Sequence, residues 1–218
     1  MRNLYLLRCV AAPRSVAEPL EGRRLMSGNV TVSFDAASNT VNVTGDNKAN
    51  EIFVSGSLGG GTYTVAGVNG TKVNGQASVT RPVVGANGSN FNISLGNGDD
   101  VVRLGSISPD FVPFTAASLR VDTGNGDDTV ALADVTLRTS GLRVSTGNGD
   151  DTVRVEFSDI LGGQMIDTGN GDDTVSFGNG ANVVSGISRI DAGRGFDTLV
   201  GRANLNVASG ARREIGFE

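Results

Sequence analysis

Between residues 91 and 200 the apolar positions recur at every second residue in short runs, and a glycine-rich turn interrupts each run. Before the turns the chain reads Phe91-Asn-Ile93, Leu119-Arg-Val121, Leu142-Arg-Val144, Gln164-Met-Ile166 and Ser188-Arg-Ile190. After them come Val102 and Leu104, Val130 and Leu132, Val153 and Val155, then Val175 and Phe177. A period of two predicts strands with one buried face. No stretch keeps helical spacing over three turns. A third short strand per repeat is expected, as in DVTLR at 134–138.

The turns are near copies of one another: LGNGDDVV (95–102), DTGNGDDTV (122–130), STGNGDDTV (145–153), DTGNGDDTV (167–175) and DAGRGFDTLV (191–200). Their first glycines, Gly96, Gly124, Gly147, Gly169 and Gly193, are spaced 28, 23, 22 and 24 residues apart. Recurrence in this range marks a repeat architecture. A unit of two or three short strands cannot bury its apolar face alone, but stacked copies can. The expected fold is therefore all-β: a right-handed parallel β-helix with coils of about 22–24 residues. Val130 would lie over Val153 and Val153 over Val175, at a strand spacing of ~4.8 Å. On the outside, Arg120, Arg143 and Arg189 alternate with Asp122, Asp167 and Asp191 as a solvated face of mixed charge.

Residues 28–94 read as β-structure too, through VTVSF, TVNVTG, EIFVSG and TYTVAG. GDNKANEIFV at 45–54 is a degenerate copy of the turn, with Asn50 in the place of the last Asp. Ile52 precedes Val101 by 49 residues, which reads as two coils. One continuous solenoid follows: a targeting or disordered segment at 1–27, atypical coils and a cap at 28–94, GNGDD repeats at 95–200, and a C-terminal cap or tail at 201–218. Caps protect the open strand edges that a solenoid otherwise exposes.

Composition removes several classes of function. The chain holds 32 glycines without a three-residue period, so it is not collagen-like. Histidine is absent, which excludes Ser–His and Cys–His dyads and His-ligated zinc. The single cysteine, Cys9, forms no internal disulfide. Residues 1–27 carry five Arg against two Glu, while 28–218 carry 13 basic and 21 acidic groups. An acidic body argues against nucleic acid as a partner. Seventeen of the acids are Asp and six are Glu, a bias toward a turn and metal-ligand residue.

The N-terminal apolar run, Leu4 to Val10, is interrupted by Arg8 and is too short to span a membrane. No transmembrane segment is expected. EPLEGRRLMSGNV at 18–30 resembles the LExRxLLS segment near the N-termini of surface and exported proteins of planctomycete-type bacteria. Leu20, Glu21, Arg23, Leu25 and Ser27 carry the match, with Met26 in place of a Leu. The resemblance implies export, hence an extracellular or cell-surface location.

Stacking the turns lines up Asp100, Asp128, Asp151, Asp173 and Asp197, with Asp99, Asp127, Asp150 and Asp172 as a second column. Unit charges at ~4.8 Å repel by roughly 1 kcal/mol even in water. Turn carboxylates in water stay ionised at neutral pH, so bound cations are the expected remedy. Calcium takes six to eight oxygen ligands, and glycine turns expose carbonyls without obstruction. A second reading stays open: NGDD is a good turn in itself, with Asp capping N–H groups and Asn97, Asn125, Asn148 and Asn170 stacked as a ladder. On that reading one carboxylate per turn would suffice.

TGNGDDTV also resembles the RTX (haemolysin-type) calcium-binding nonapeptide GGxGxDxUx. Gly124 and Gly126 match its second and fourth positions, Asp128 the sixth and Val130 the aliphatic eighth. The resemblance covers residues 95–200 and implies calcium ligation by Asp100, Asp128, Asp151, Asp173 and Asp197, supported by turn carbonyls. It departs from the family at the first glycine, replaced by Leu95, Thr123, Thr146, Thr168 and Ala192, and in having one turn per coil. Calcium would then line one edge only.

The expected function is a calcium-binding structural module without catalytic activity, whose partners are calcium ions and cell-surface polysaccharide or other surface proteins. The alternatives are a calcium-independent adhesive or spacer solenoid, and a parallel β-helix polysaccharide lyase. A lyase needs carboxylates peculiar to one place on a strand face, whereas here every coil carries the same ones.

Overall fold

The computed structural model describes residues 28–56, 61–105, 113–178, 180, 182–208 and 211–217. The N-terminal segment with its LExRxLLS resemblance, and Cys9, lie outside the described residues. The chain forms a parallel β-solenoid of about five coils. Among the described residues one three-residue 3₁₀ turn, Arg202–Asn204, is the sole helical element.

Each coil follows from the alternation. Strands Asn90–Asn97, Phe114–Asn125, Val135–Asn148, Gln164–Asn170 and Ser188–Asp191 lead into the turns and pair in parallel. Strands Val101–Gly105, Thr129–Ala133, Thr152–Glu156, Thr174–Phe177 and Thr198–Val200 leave them, also in parallel. Val130 pairs with Val153 and Val153 with Val175, each fully buried, as the repeat predicts. The expected third strand exists: Val135–Leu137 pairs with Phe114–Ala116, and a register shift before Gly141 sets it apart from the rest of its strand. Burying each such aliphatic side chain contributes roughly 1.5–3 kcal/mol.

The N-terminal region departs from the expectation. Ile52 pairs with Val102, so this offset of 50 residues makes one coil step and not two. The surplus chain leaves as hairpins: Glu51–Gly56 pairs antiparallel with Thr62–Gly67, which pairs antiparallel with Ser78–Pro82. On the other face Asn29–Asp35 pairs antiparallel with Thr40–Thr44. Both sheets therefore end in antiparallel strands, and Tyr63, Val65, Val73 and Val79 continue the core there. The ring of Tyr63 meets Phe91 edge-on at 5.0 Å, and Phe91 meets Phe114 at 4.9 Å.

The other end closes with charge. The inward ladder Ile93–Val121–Val144–Ile166–Ile190 is followed in register by Glu214, and the neighbouring ladder ends on Arg212. Arg212 and Arg202 both pair with Glu214, the latter at 2.7 Å. Inward-pointing charge at a sheet edge discourages further strands from adding.

Candidate metal centre

The GxG of each turn is a packing requirement. Gly147 has φ +103, and a Cβ there would lie 2.1 Å from the carbonyl oxygen of Gly124 in the coil below. Gly149, at φ +126, would place its Cβ 2.2 Å from the Gly126 carbonyl. Only glycine lets the turn backbones approach this closely.

The second Asp of each turn points inward. Asp128 has the same strand parity as the core residues Val130 and Leu132, and that parity buries it. Asp100, Asp128, Asp151, Asp173 and Asp197 are at most 2 % exposed. Each places Oδ1 under the backbone N–H of the matching residue one coil earlier. The N–H of Asn50 donates to Asp100 at 2.7 Å, Asp100 to Asp128, Asp128 to Asp151 and Asp151 to Asp173 at 2.8 Å, and Asp173 to Asp197 at 2.9 Å. The five Oδ2 atoms are buried without a hydrogen-bond partner.

The first Asp of each turn faces solvent and acts in the opposite direction. Oδ1 of Asp99, Asp127 and Asp150 accepts from the N–H of Asp127, Asp150 and Asp172 one coil later, at 3.2, 2.9 and 2.8 Å. Asp172 accepts from the N–H of Phe196 at 2.9 Å. Adjacent amides of one turn thus point to opposite neighbours, and each column satisfies one of them. The expectation that capping needs only one carboxylate per turn is corrected: it needs both. Beside them the asparagine ladder forms, with Nδ2-to-Oδ1 bonds of 2.7–2.9 Å linking Asn47, Asn97, Asn125, Asn148 and Asn170 in order.

Burial also corrects the expectation that these carboxylates sit in water. Desolvation pushes Asp100 and Asp151 up to about 7 and Asp128 up to about 6. It raises Asp173 as well. For Asp151, the nearby Thr146 hydroxyl and the Asp128 N–H oppose the rise, while the charges of Asp128 and Asp173 add to it. The Thr146 hydroxyl also lies 3.1 Å from the Thr168 carbonyl, and the Thr168 hydroxyl 3.1 Å from the Ala192 carbonyl. These fully buried threonines, with Thr123, line the column from the position where the nonapeptide has its first glycine.

All nine expected carboxylates therefore lie in two columns along one edge. The inner five carry the chemistry of a cation site: buried carboxyl oxygens lacking a partner. Such an oxygen is costly, by about 1–3 kcal/mol or more when charged. Among the described residues no three acidic side chains converge closely enough to hold a metal by themselves. An ion in the column would draw its remaining oxygens from turn carbonyls. Asp46 and Asn50 also hold buried oxygens without partners, and the motif did not single them out as ligands. Their signal is the alignment of GDNKAN with the turns. No protein-family model, curated protein or solved structure matches the chain.

Proposed function

We propose that this chain is a calcium-binding structural solenoid of the extracellular space or cell surface, without catalytic activity. The carrying observation is the set of five buried, unpartnered Oδ2 atoms repeated in register at every coil step. A hard divalent cation compensates the charge of such oxygens, and calcium accepts the mixture of carboxylate and carbonyl ligands that a glycine turn offers. Its binding would be coupled to stacking, because successive coils contribute the ligands, and would stabilise the native state where calcium is abundant. Extracellular modules work at about 10⁻⁴–10⁻³ M calcium. Export of the chain follows the same reading, supported by its N-terminal resemblance.

A second reading has its own observation. The Oδ1-to-N–H bonds and the asparagine ladder join the coils without any ion, which suits a calcium-independent spacer. Melting curves in EDTA and in 5 mM calcium (roughly five times the top of the extracellular range) separate the two. A rise in melting temperature supports calcium; an unchanged curve supports the spacer. Formation of unsaturated products from polyuronates would overturn the non-catalytic assignment.

A further inference from the structure

The inner column does not begin with another GNGDD turn. The ladder bond from Asn97 to Asn47 fixes the register of the first coil. Asp46 then occupies the position of Gly96, and Asn50 that of Asp100. From Gly124 onward that glycine position excludes a side chain: a Cβ on Gly124, Gly147 or Gly169 would lie 2.0–2.1 Å from the carbonyl one coil below, whereas one on Gly96 would lie 3.4 Å from the Asp46 carbonyl. Among the described residues no GxG turn lies before the first coil. Gly28 and Asn29 cross there instead, and the N–H of Asn29 donates to Asp46 Oδ2 at 3.1 Å. A Cβ on Gly28 would fall 2.0 Å from Asn50 Oδ1, so that oxygen faces the α-carbon of Gly28.

Three unpaired oxygens fall at this end of the column. Asp46 Oδ1, Asn50 Oδ1 and Asp100 Oδ2 are all buried without partners. Asn50 and Asp100 are fully buried. The Asn50 amide is oriented by its other end, whose Nδ2 donates to the Lys48 carbonyl at 2.6 Å and lies 3.3 Å from Asp100 Oδ1. The negative charge of Asp46 is felt at Asp100. Asp128, Asp151, Asp173 and Asp197 each contribute a single such oxygen to the rest of the column; this end holds three.

We infer that Asp46, Asn50 and Asp100 form a terminal cation site, distinct from the repeated ones and the tightest calcium site of the chain. The inference rests on the calcium reading above. Two carboxylates and an amide carbonyl are an all-oxygen donor set without nitrogen or sulfur, which suits calcium over softer metals. Charge is added here by Asp46, at a position that is glycine in every GNGDD turn. A cation bound at this point would fasten the Gly28–Asn29 crossing to the first coil and seal the N-terminal end of the column.

The test is isothermal titration of calcium alone into the intact chain at pH 7.5. The wild type should show one event tighter than the rest. Asp46→Asn should lose that event, with stoichiometry falling by one and affinity there dropping at least tenfold, while the weaker events persist. Asn50→Asp, which adds a charge to the site, should tighten the same event several-fold. Asp127→Asn, on the solvent-facing column, should titrate as the wild type. Far-UV circular dichroism checks the fold, and should Asp46→Asn not fold, Asn50→Asp decides the matter. If the wild type binds calcium and both terminal variants match it, the terminal site is overturned and the repeated sites stand. If the wild type takes up no calcium, both fall together.

Discussion

The backbone N–H of Asp128 donates to Oδ1 of Asp151 at 2.8 Å, so a carboxylate buried in one coil closes a hydrogen bond to the coil before it. The same carboxylate leaves Oδ2 unpartnered. One side chain thus holds the stack together and strains it. Replacing Asp151 by Ala should orphan the Asp128 amide and cost about 1–3 kcal/mol in urea unfolding. Asp151→Asn keeps an acceptor for that amide and removes the charge. In EDTA the Asn variant should be at least as stable as the wild type. A loss equal to that of Ala would show that charge, and not the hydrogen bond, matters there.

Acid should stabilise the calcium-free protein. The folded-state values of Asp100, Asp128 and Asp151, about 6–7, exceed the ordinary 3.8. The native state therefore binds protons more tightly than the unfolded chain between those limits, and stability grows as pH falls through about 7 toward 4. Melting temperature in EDTA should climb from pH 8 to pH 5. With calcium the trend should weaken or invert, because protons then compete with the ion. A melting temperature in EDTA that falls steadily from pH 8 to pH 5 would contradict the burial of this column.

Gly147→Ala should be poorly tolerated. Its φ of +103 would cost an L-residue about 1–3 kcal/mol in backbone strain, and the added Cβ would meet a carbonyl at 2.1 Å. Gly75, also at positive φ but open to solvent, isolates the strain alone. Thermal melts should show Gly147→Ala clearly worse than Gly75→Ala. Equal losses would mean that the coils do not approach as closely as described.

Glu214 stands where Ile190 and Ile166 stand in earlier coils. Glu214→Val would extend the aliphatic ladder to the C-terminal edge and strip Arg202 and Arg212 of their anion. Sedimentation velocity should show association that rises with concentration beyond that of the wild type. Superimposable profiles would remove the charged ladder end as a barrier to stacking.

Much of this architecture is legible in the sequence because the same parity recurs in every coil. Val130, Val153 and Val175 could be stacked by spacing alone, and so could the asparagines. The burial of Asp128 was equally legible, since it lies two residues before Val130; treating the turn as a solvated unit hid it. The N-terminal hairpins were not legible. Alternation in EIFVSG and TYTVAG is the same for a parallel coil and an antiparallel pair, so 50 residues could pass for two turns of the helix. The opposite senses of the two Asp columns depend on which way successive amides point, and residue spacing carries no record of that.

The central claim is that calcium acts through the inner column and not through acidity along the edge. Melting temperature should be followed against calcium for two variants of equal charge change. One is Asp100→Asn/Asp128→Asn/Asp151→Asn/Asp173→Asn, the other Asp99→Asn/Asp127→Asn/Asp150→Asn/Asp172→Asn. The account predicts that the inner variant folds and loses most of the calcium-dependent rise, while the outer variant keeps most of it. Equal retention in both, or loss in the outer variant alone, would contradict it.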